Sequence, residues 1–294
     1  MADISVLIPT YNQPCLELVS QLREQLEQEG IAYEIIVADD GSTDHLAIEA
    51  NLMINTLSHC QYIIRKENVG RAAIRNFLAQ QAQYTYLLYI DSDMTVINDL
   101  FIHRYLIADG DSVIDGGVAI GGDPDELRHS LRYLYEKAEE PHHTAQKRQK
   151  NPYQHLHTAN LFIRRDIILS HPFDERFKHY GYEDVLLGKV LRQNRIPILH
   201  IDNPLGFCTF ESNSDFLRKT EEGLHTLYEF QSELRGYSRL LTFISGIHIP
   251  MILSIFKWMH KLFSRLEQRQ LCSKHPSLTL FKLYRLGYFL NICR

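Results

Sequence analysis

Asp91 and Asp93 flank Ser92 directly after the apolar run Leu87-Leu88-Tyr89-Ile90. Alternating across a turn, they can place two carboxylates at one strand end. Carboxylate oxygens are hard ligands suited to Mg²⁺ or Mn²⁺, ions that typically bridge phosphate oxygens. The same Asp-X-Asp also describes a turn closed by capping aspartates. Asp39-Asp40-Gly41-Ser42-Thr43-Asp44 carries the same ambiguity, as a pair of acids or a turn leading into a helix N-cap. A third acidic pair, Glu183-Asp184, opens a stretch in which Leu186, Leu187, Val190 and Leu191 recur at helical spacing. Carboxylates are favoured in a first helical turn, so capping alone accounts for that pair too.

The elements that must hold these residues follow from periodicity. Ser5–Ile8, Tyr33–Ala38, Tyr62–Arg65 and Tyr86–Ile90 are short β-branched or aromatic runs, separated by stretches long enough for helices. That order predicts a parallel sheet of βαβ units, in which ligands sit at the carboxyl ends of the strands. Pro9-Thr10-Tyr11-Asn12, Asp39–Asp44, Glu67-Asn68-Val69-Gly70-Arg71 and Asp91-Ser92-Asp93 stand at those four ends, and each is polar and turn-forming. Glu136–Asn151, with two adjacent histidines and few apolar residues, reads as a mobile surface loop beside the site. His157–Ile163 reads as a further strand.

With 294 residues, 45% of them hydrophobic, the chain can bury a sizeable core. Its 31 basic and 36 acidic residues give a formal charge of −5, which argues against nucleic acid as a partner. Five scattered cysteines without a CxxC suggest neither a disulfide framework nor a zinc site. The Met1-Ala2-Asp3 start lacks the form of a signal peptide, so a reduced, cytoplasmic setting is expected. Leu240–Phe256 is uncharged over 17 residues, short of the roughly 20 needed to span a bilayer. From Pro250 on, Ile252, Ile255, Phe256, Met259, Leu262, Phe263 and Leu266 recur at helical spacing. From Lys257 to Arg294 eight Lys or Arg face one acid, Glu267, a net +7 that leaves −12 on the rest. A basic amphipathic helix with Trp258 fits an anionic membrane surface, here the inner face of the cell membrane. Packing on the globular domain with solvated cations accounts for it equally, because a stripe alone does not distinguish a lipid face from a core face.

Taken jointly, the order Ser5–Asn12, Val37–Asp44, Asn68–Asn76 and Asp91-Ser92-Asp93 resembles the nucleotide-sugar half of family 2 glycosyltransferases. Thr158–Arg165, Phe173-Asp174-Glu175 and Tyr180-Gly181-Tyr182-Glu183-Asp184 resemble its acceptor half. The resemblance implies an α/β GT-A fold over residues 1–235, a mostly parallel central sheet flanked by helices, with 236–294 as a basic helical extension. It implies an inverting transfer from a nucleotide diphosphate sugar, most often a uridine one, to a glycan or lipid-linked acceptor in cell-surface polysaccharide synthesis, with Mn²⁺ or Mg²⁺. By position, Thr10, Tyr11 and Asn12 would line the base pocket, Asp39 would hold uracil, and Asp40 would be its neighbouring carboxylate. Asn68, Gly70, Arg71 and Arg75 would flank base and diphosphate, with Arg75 equally readable as a structural ion-pair partner. Asp91 would face the ribose, beside Ser92, and Asp93 the metal. Asn160, Gly181 and Tyr182 would stand on the acceptor side, with Asp184 the catalytic base and Glu183 an acceptor-orienting acid.

Two departures stand out. Tyr182 replaces a second glycine that many members carry before Glu-Asp, and Phe207 stands near where relatives often place a metal-binding histidine. His200, on the preceding strand, is the nearby candidate ligand. The missing histidine keeps open a second reading, a noncatalytic nucleotide-sugar-binding or scaffold subunit. Neither a Gly-X-Gly-X-X-Gly after the first strand nor a Walker loop is present, which argues against an unrelated dinucleotide or P-loop enzyme.

Overall fold

The computed structural model describes residues 3–108, 112–247 and 250–293. Met1, Ala2 and Arg294, together with His248 and Ile249 within the uncharged stretch, lie outside them. The strands are β1 (Ile4–Thr10), β2 (Tyr33–Asp39), β3 (Cys60–Ile64), β4 (Tyr86–Ile90), β5 (Met94–Thr95), β6 (Val113–Asp115), β7 (Val118–Ile120), β8 (Asn160–Arg164), β9 (Leu199–His200) and β10 (Leu205–Phe207). Seven form one sheet in the order β3-β2-β1-β4-β8-β6-β9, and β5-β10-β7 form a small second sheet. The expected strands are present and β1 to β4 are parallel, but β8 enters antiparallel between β4 and β6. Register then brings both ends of the chemistry to one edge. Thr10 pairs with Asp39, Ile90 with Asn160, and Asp115 with His200.

Period-two alternation divides the core between the two sheet faces. Ile4, Val6 and Ile8 of β1 with Leu88 and Ile90 of β4 pack on α1 (Leu16–Glu29) through Leu18, Val19 and Leu22. Leu7, Leu87 and Tyr89 face the other way, toward α2 (Arg71–Gln81) and toward Leu186, Leu187 and Leu191 of α4 (Glu183–Gln193). A third cluster joins Leu131 of α3 (Leu131–Glu139) and Phe216 and Leu217 of α5 (Asn213–Glu229) to the C-terminal helices. Those are α6 (Pro250–Leu271), through Leu271, and α7 (Leu278–Ile292), through Phe281 and Tyr284. No helix among the described residues is long and apolar enough to cross a membrane.

Glu136–Asn151 does not form the expected free loop. Its first residues complete α3, and two short helical turns follow. Arg148, 4% exposed, pins the segment by donating to the carbonyls of His143 at 2.7 Å and Ile201 at 2.9 Å and to His200 Nδ1 at 3.1 Å. A guanidinium with its donors spent on backbone oxygens fixes that backbone, and composition alone does not reveal such an anchor.

The placement of α4 depends on Gly188, where a Cβ would lie 2.1 Å from the Tyr153 carbonyl oxygen. Gly188→Ala forces the helix carrying Glu183 and Asp184 off the 152–154 turn. The expected cost is about 1–3 kcal/mol, read as a lower urea midpoint with an unchanged m-value.

Candidate active site

Two adjoining cavities open at the carboxyl edge of β1, β2 and β4, and they meet at Arg71, Asp91, Asp93, Tyr180 and Lys219. The first is lined by Thr10, Tyr11, Asp40, Asn68, Gly70, Arg75 and Ser92 as well. Tyr11 presents a ring that is 48% exposed, a platform on which a planar base can stack. Asp40 accepts the Val69 and Gly70 amides at 3.0 Å each and so fixes the loop after β3. Burial raises its carboxyl against those two bonds. Gly70 has φ +90°, and a Cβ there would lie 2.7 Å from the Lys178 carbonyl oxygen, so only glycine lets the loop pass.

Asp39 and Asn12 stand elsewhere than expected. Asp39 is buried, accepting the Ser42 amide at 2.6 Å and the Tyr62 hydroxyl, and it lies behind the cavity wall. Asn12, at φ +53°, accepts the Thr43 and Asp44 amides at 2.8 and 2.9 Å and locks the β1 end to the β2 end. Successive strand residues point to opposite faces, so of the two adjacent aspartates only Asp40 reaches the cavity. Asp44 caps the following helix at the Leu46 amide, 3.0 Å.

Arg75 proves to be the ion-pair partner. Its guanidinium, 1% exposed, donates to Asp91 Oδ1 at 2.7 Å and to Glu183 Oε1 at 2.9 Å. Arg71 Nη1 lies 3.8 Å from the other Asp91 oxygen and its guanidinium stacks over Tyr180 at 4.8 Å. Burial alone would raise Asp91, but Arg75 and then Arg71 hold it below the usual carboxylate range. Asp93 goes the other way, raised by burial and by the Asp91 charge.

The second cavity holds Glu183 and Asp184, the acids expected on the acceptor side. Gly181 and Tyr182, at φ +94° and +72°, turn the chain into α4, whose first residues are Glu183 and Asp184. Burial and the neighbouring Glu183 push the Asp184 carboxyl up to about 6, against the pull of His157. His157 lines the same wall, and its amide donates to Asp115 Oδ2 at 2.9 Å. Burial lowers its imidazole, but Asp115 and Asp184 outweigh that and hold it above the ordinary value. His143, 5.7 Å from His157 ring to ring, is lowered to about 4 by burial and by His157.

Asn160 and His200 do not reach this cavity. Asn160 is fully buried, donating to the Gly117 and Asn203 carbonyls at 2.8 and 2.9 Å and accepting the Tyr105 hydroxyl at 2.6 Å. It satisfies backbone groups at the strand crossing rather than facing an acceptor. His200 has both ring nitrogens engaged, with Arg148 Nε at 3.1 Å and the Pro152 carbonyl at 3.0 Å, which leaves neither open to a metal in this arrangement. No group of three or more His, Cys, Asp or Glu among the described residues forms a closed metal cage. A Mg²⁺-type ion needs less, one or two carboxylates plus substrate phosphates. Asp93 suits that role, since a cation relieves the repulsion that raises it.

Sequence reasoning missed Arg132, Lys219 and His157. Arg132 of α3 stacks 4.6 Å over Phe207, pairs with both Glu211 oxygens at 2.7 Å and lines the second cavity; Lys219 of α5 lines both. Neither cation sits in a strand-end motif. His157 opens the expected strand 157–163, but its approach to Asp184 depends on β8 running antiparallel.

The comparisons with known proteins agree with this architecture. Over 99 residues the chain is 34% identical to an uncharacterized glycosyltransferase of Haemophilus influenzae, covering 34% of this chain and 39% of that protein. It is 26% identical over 222 residues to the hyaluronan synthase of Pasteurella multocida and over 220 residues to the chondroitin synthase of Escherichia coli. Each match covers 63% of this chain but only 22% and 31% of those proteins. The chain thus spans well under half the length of these relatives. Among solved structures, the mannosyltransferase PcManGT of Pyrobaculum calidifontis, in complex with GDP-Man and Mn²⁺, matches 98% of this chain and 84% of its own with a TM-score of 0.52 at 11% identity. TarS 1–349 of S. aureus, in complex with UDP-GlcNAc, matches 97% and 90% with a TM-score of 0.51 at 18% identity. Both likenesses establish the GT-A fold. With residues 5–170 matching the family model for glycosyl transferase family 2, the chain belongs to that family.

Proposed function

We propose that this protein is an inverting glycosyltransferase that moves a sugar from a nucleotide diphosphate sugar, with UDP as the nucleotide, to a hydroxyl of a glycan or lipid-linked acceptor. The observation that carries the reading is the pairing of two unlike carboxylates across adjoining cavities. Asp91, held ionised by two guanidiniums, stands on the donor side, and Asp184, raised to about 6, stands on the other. Groups whose environments push their pKa values apart are what a displacement with separate binding and proton-transfer tasks requires. The named activities of the polysaccharide synthases among the relatives and the nucleotide sugar bound by TarS support the substrate class.

In the proposed reaction the base of the donor stacks on Tyr11, and the diphosphate lies along the Asn68–Arg71 loop toward Asp91 and Asp93. The acceptor hydroxyl attacks the anomeric carbon from the face opposite the diphosphate, giving its proton to Asp184 as the new C–O bond forms. The anomeric C–O bond to phosphate breaks, and the electron pair leaves on the diphosphate. Arg71, Arg132 and Lys219, all on the cavity walls, supply positive charge where that negative charge accumulates. Mn²⁺ or Mg²⁺ bound at Asp93, with Asp91 nearby, would neutralise further charge on the same phosphates. The His157 ring pairs with Asp115 at 3.8 Å, and its charge keeps the Asp184 carboxyl from rising further.

Three measurements test this. Titration calorimetry with UDP, GDP and CDP, with and without Mn²⁺, is expected to give metal-enhanced binding of UDP, and Asp93→Ala is expected to remove the metal-dependent gain. Absence of binding to every nucleotide by the folded protein would overturn the donor assignment.

Asp184→Asn is expected to cost on the order of 10²–10⁴-fold in turnover while retaining UDP affinity. In the wild type kcat/KM should fall tenfold per pH unit below about 6, because the base must be deprotonated to act. Near-normal turnover in the variant would remove Asp184 from this role.

Arg75→Met leaves Asp91 and Glu183 without their shared partner, a loss of about 3–5 kcal/mol for a broken buried pair. The folded Asp91 carboxyl is depressed, so its contribution is present above the unfolded pKa and lost as pH falls through the folded value. The stability gap between wild type and variant, read by denaturant melts, should therefore be widest near neutrality and narrow below pH 4.

A further inference from the structure

We propose that α6 docks flat on an anionic lipid surface through a face that the fold leaves outward. The inference stands on the helix itself and does not rest on the glycosyl-transfer reading. At about 100° per residue, Met251, Ile255, Trp258, Met259, Leu262, Phe263 and Leu266 fall on one arc of this helix, and all are exposed. Met251 is 68% exposed, Trp258 63%, Leu266 59% and Leu262 58%. An ordinary amphipathic helix turns such an arc to the core, and here the orientation is reversed.

The inward face is mixed, with Leu271 buried in the core, and its polar groups are committed. His260 is 7% exposed, pairs with Glu267 at 2.6 Å and packs edge-on to Tyr284 and Tyr288 of α7. Gly287 of α7 makes room for it, since a Cβ there would lie 2.5 Å from the His260 Cβ. Lys257 Nζ donates to the Cys293 carbonyl at 2.7 Å, and Gln268 donates to the Tyr284 hydroxyl at 2.9 Å. Rolling the helix to bury its apolar arc would break these bonds and expose nothing better in exchange.

Charge selects the occupant. Glu267 is the helix's one acid and is turned inward onto His260, whereas Lys261 and Arg265 run along one edge of the apolar arc and Arg269 lies at its end. The outward side is therefore apolar and cationic, with no acid. That complements anionic headgroups over acyl chains, where long basic side chains reach up to the phosphates. A second copy of the helix would bring only cations to the flanks of a paired seam, without the opposite charges that specify helix pairing. At 22 residues the helix is about 33 Å long, enough to lie along a surface with Trp258 at the headgroup level.

Docking also sets the distance between lipid and site. Across α7 from α6, Arg285 donates to the Tyr135 hydroxyl at 3.1 Å and Lys282 lies 3.5 Å from Glu139, both on α3, which carries Arg132 and Glu136 into the second cavity. One helix thus separates the lipid-facing helix from the wall of that cavity.

The test uses flotation of the full chain with vesicles of equimolar phosphatidylglycerol and phosphatidylcholine, against phosphatidylcholine alone. Trp258, the chain's single tryptophan, reports insertion directly. The expected result is binding to the anionic vesicles with a blue shift of tryptophan emission, weakened by added salt, and at least tenfold weaker binding to the neutral ones. Leu262→Glu with Phe263→Ser, both at exposed positions, should abolish flotation with an unchanged melting temperature. Lys261→Glu with Arg265→Glu should remove the preference for anionic lipid. Failure to float with either vesicle, or unshifted Trp258 emission on anionic vesicles, overturns the proposal. So does a lipid-independent dimer in light scattering that Leu262→Glu with Phe263→Ser dissolves, which would assign the face to a second copy.

Discussion

A single buried guanidinium ties this structure together. Arg75 reaches from α2 to Asp91 at the end of β4 and to Glu183 at the start of α4, elements 16 and 108 residues away in sequence. Taken from water without partners, such a charge would be costly, and so would either acid alone. Together they are stable only in one arrangement, which sets the separation of the two cavities. The electrostatic consequence divides the acids by role. Asp91 shares its charge with Arg75 and Arg71 and stays low, whereas Asp184 is pushed up to about 6 by burial and then by the Glu183 charge.

The parts of the site legible in the sequence are those written into strand ends. Alternating apolar runs locate β1 to β4, and the polar turns after them hold Thr10, Tyr11, Asp40, Asn68, Gly70, Arg71, Asp91 and Asp93, all of which line the first cavity. Their collection follows from parallel pairing, because parallel strands present the same end at the same edge. Which of two adjacent residues faces the ligand is not written there. Asp39 and Asp40 are alike as letters, and only the pleat sends one behind the wall. Asn160 and His200 illustrate the opposite trap, since polar residues at strand ends are attractive as site residues but here satisfy buried carbonyls and a guanidinium. Arg132 and Lys219 were illegible for another reason. They come from helices that reach the cavity only through tertiary packing, and each looks like one cation among many on a solvated face.

Tyr182 shows how a departure from a family pattern can be read physically. The residue before Glu183 has φ +72°, a left-handed conformation that follows Gly181 at φ +94°. Glycine meets that demand without strain. A bulky side chain in such a region costs about 1–3 kcal/mol and persists only when its surroundings enforce it. Two contacts enforce it here. Tyr182 packs against the core beneath the sheet, and its hydroxyl faces Arg285 of α7. The turn that carries Asp184 is therefore braced by α7 as well as by the core beneath the sheet.

That brace gives the C-terminal segment a place in the chemistry. Arg285 sits between Tyr135 of α3 and Tyr182 at the α4 start, so one side chain of α7 links the two elements that line the second cavity. On its other side α7 holds α6 through His260, Gln268 and Lys257. Packed rings and hydrogen bonds thus connect α6 through α7 to the turn that carries Asp184. If α6 docks on lipid as proposed, its reversed polarity has a physical reason: the polar residues are spent on holding α7, and the apolar arc is left outward for acyl chains.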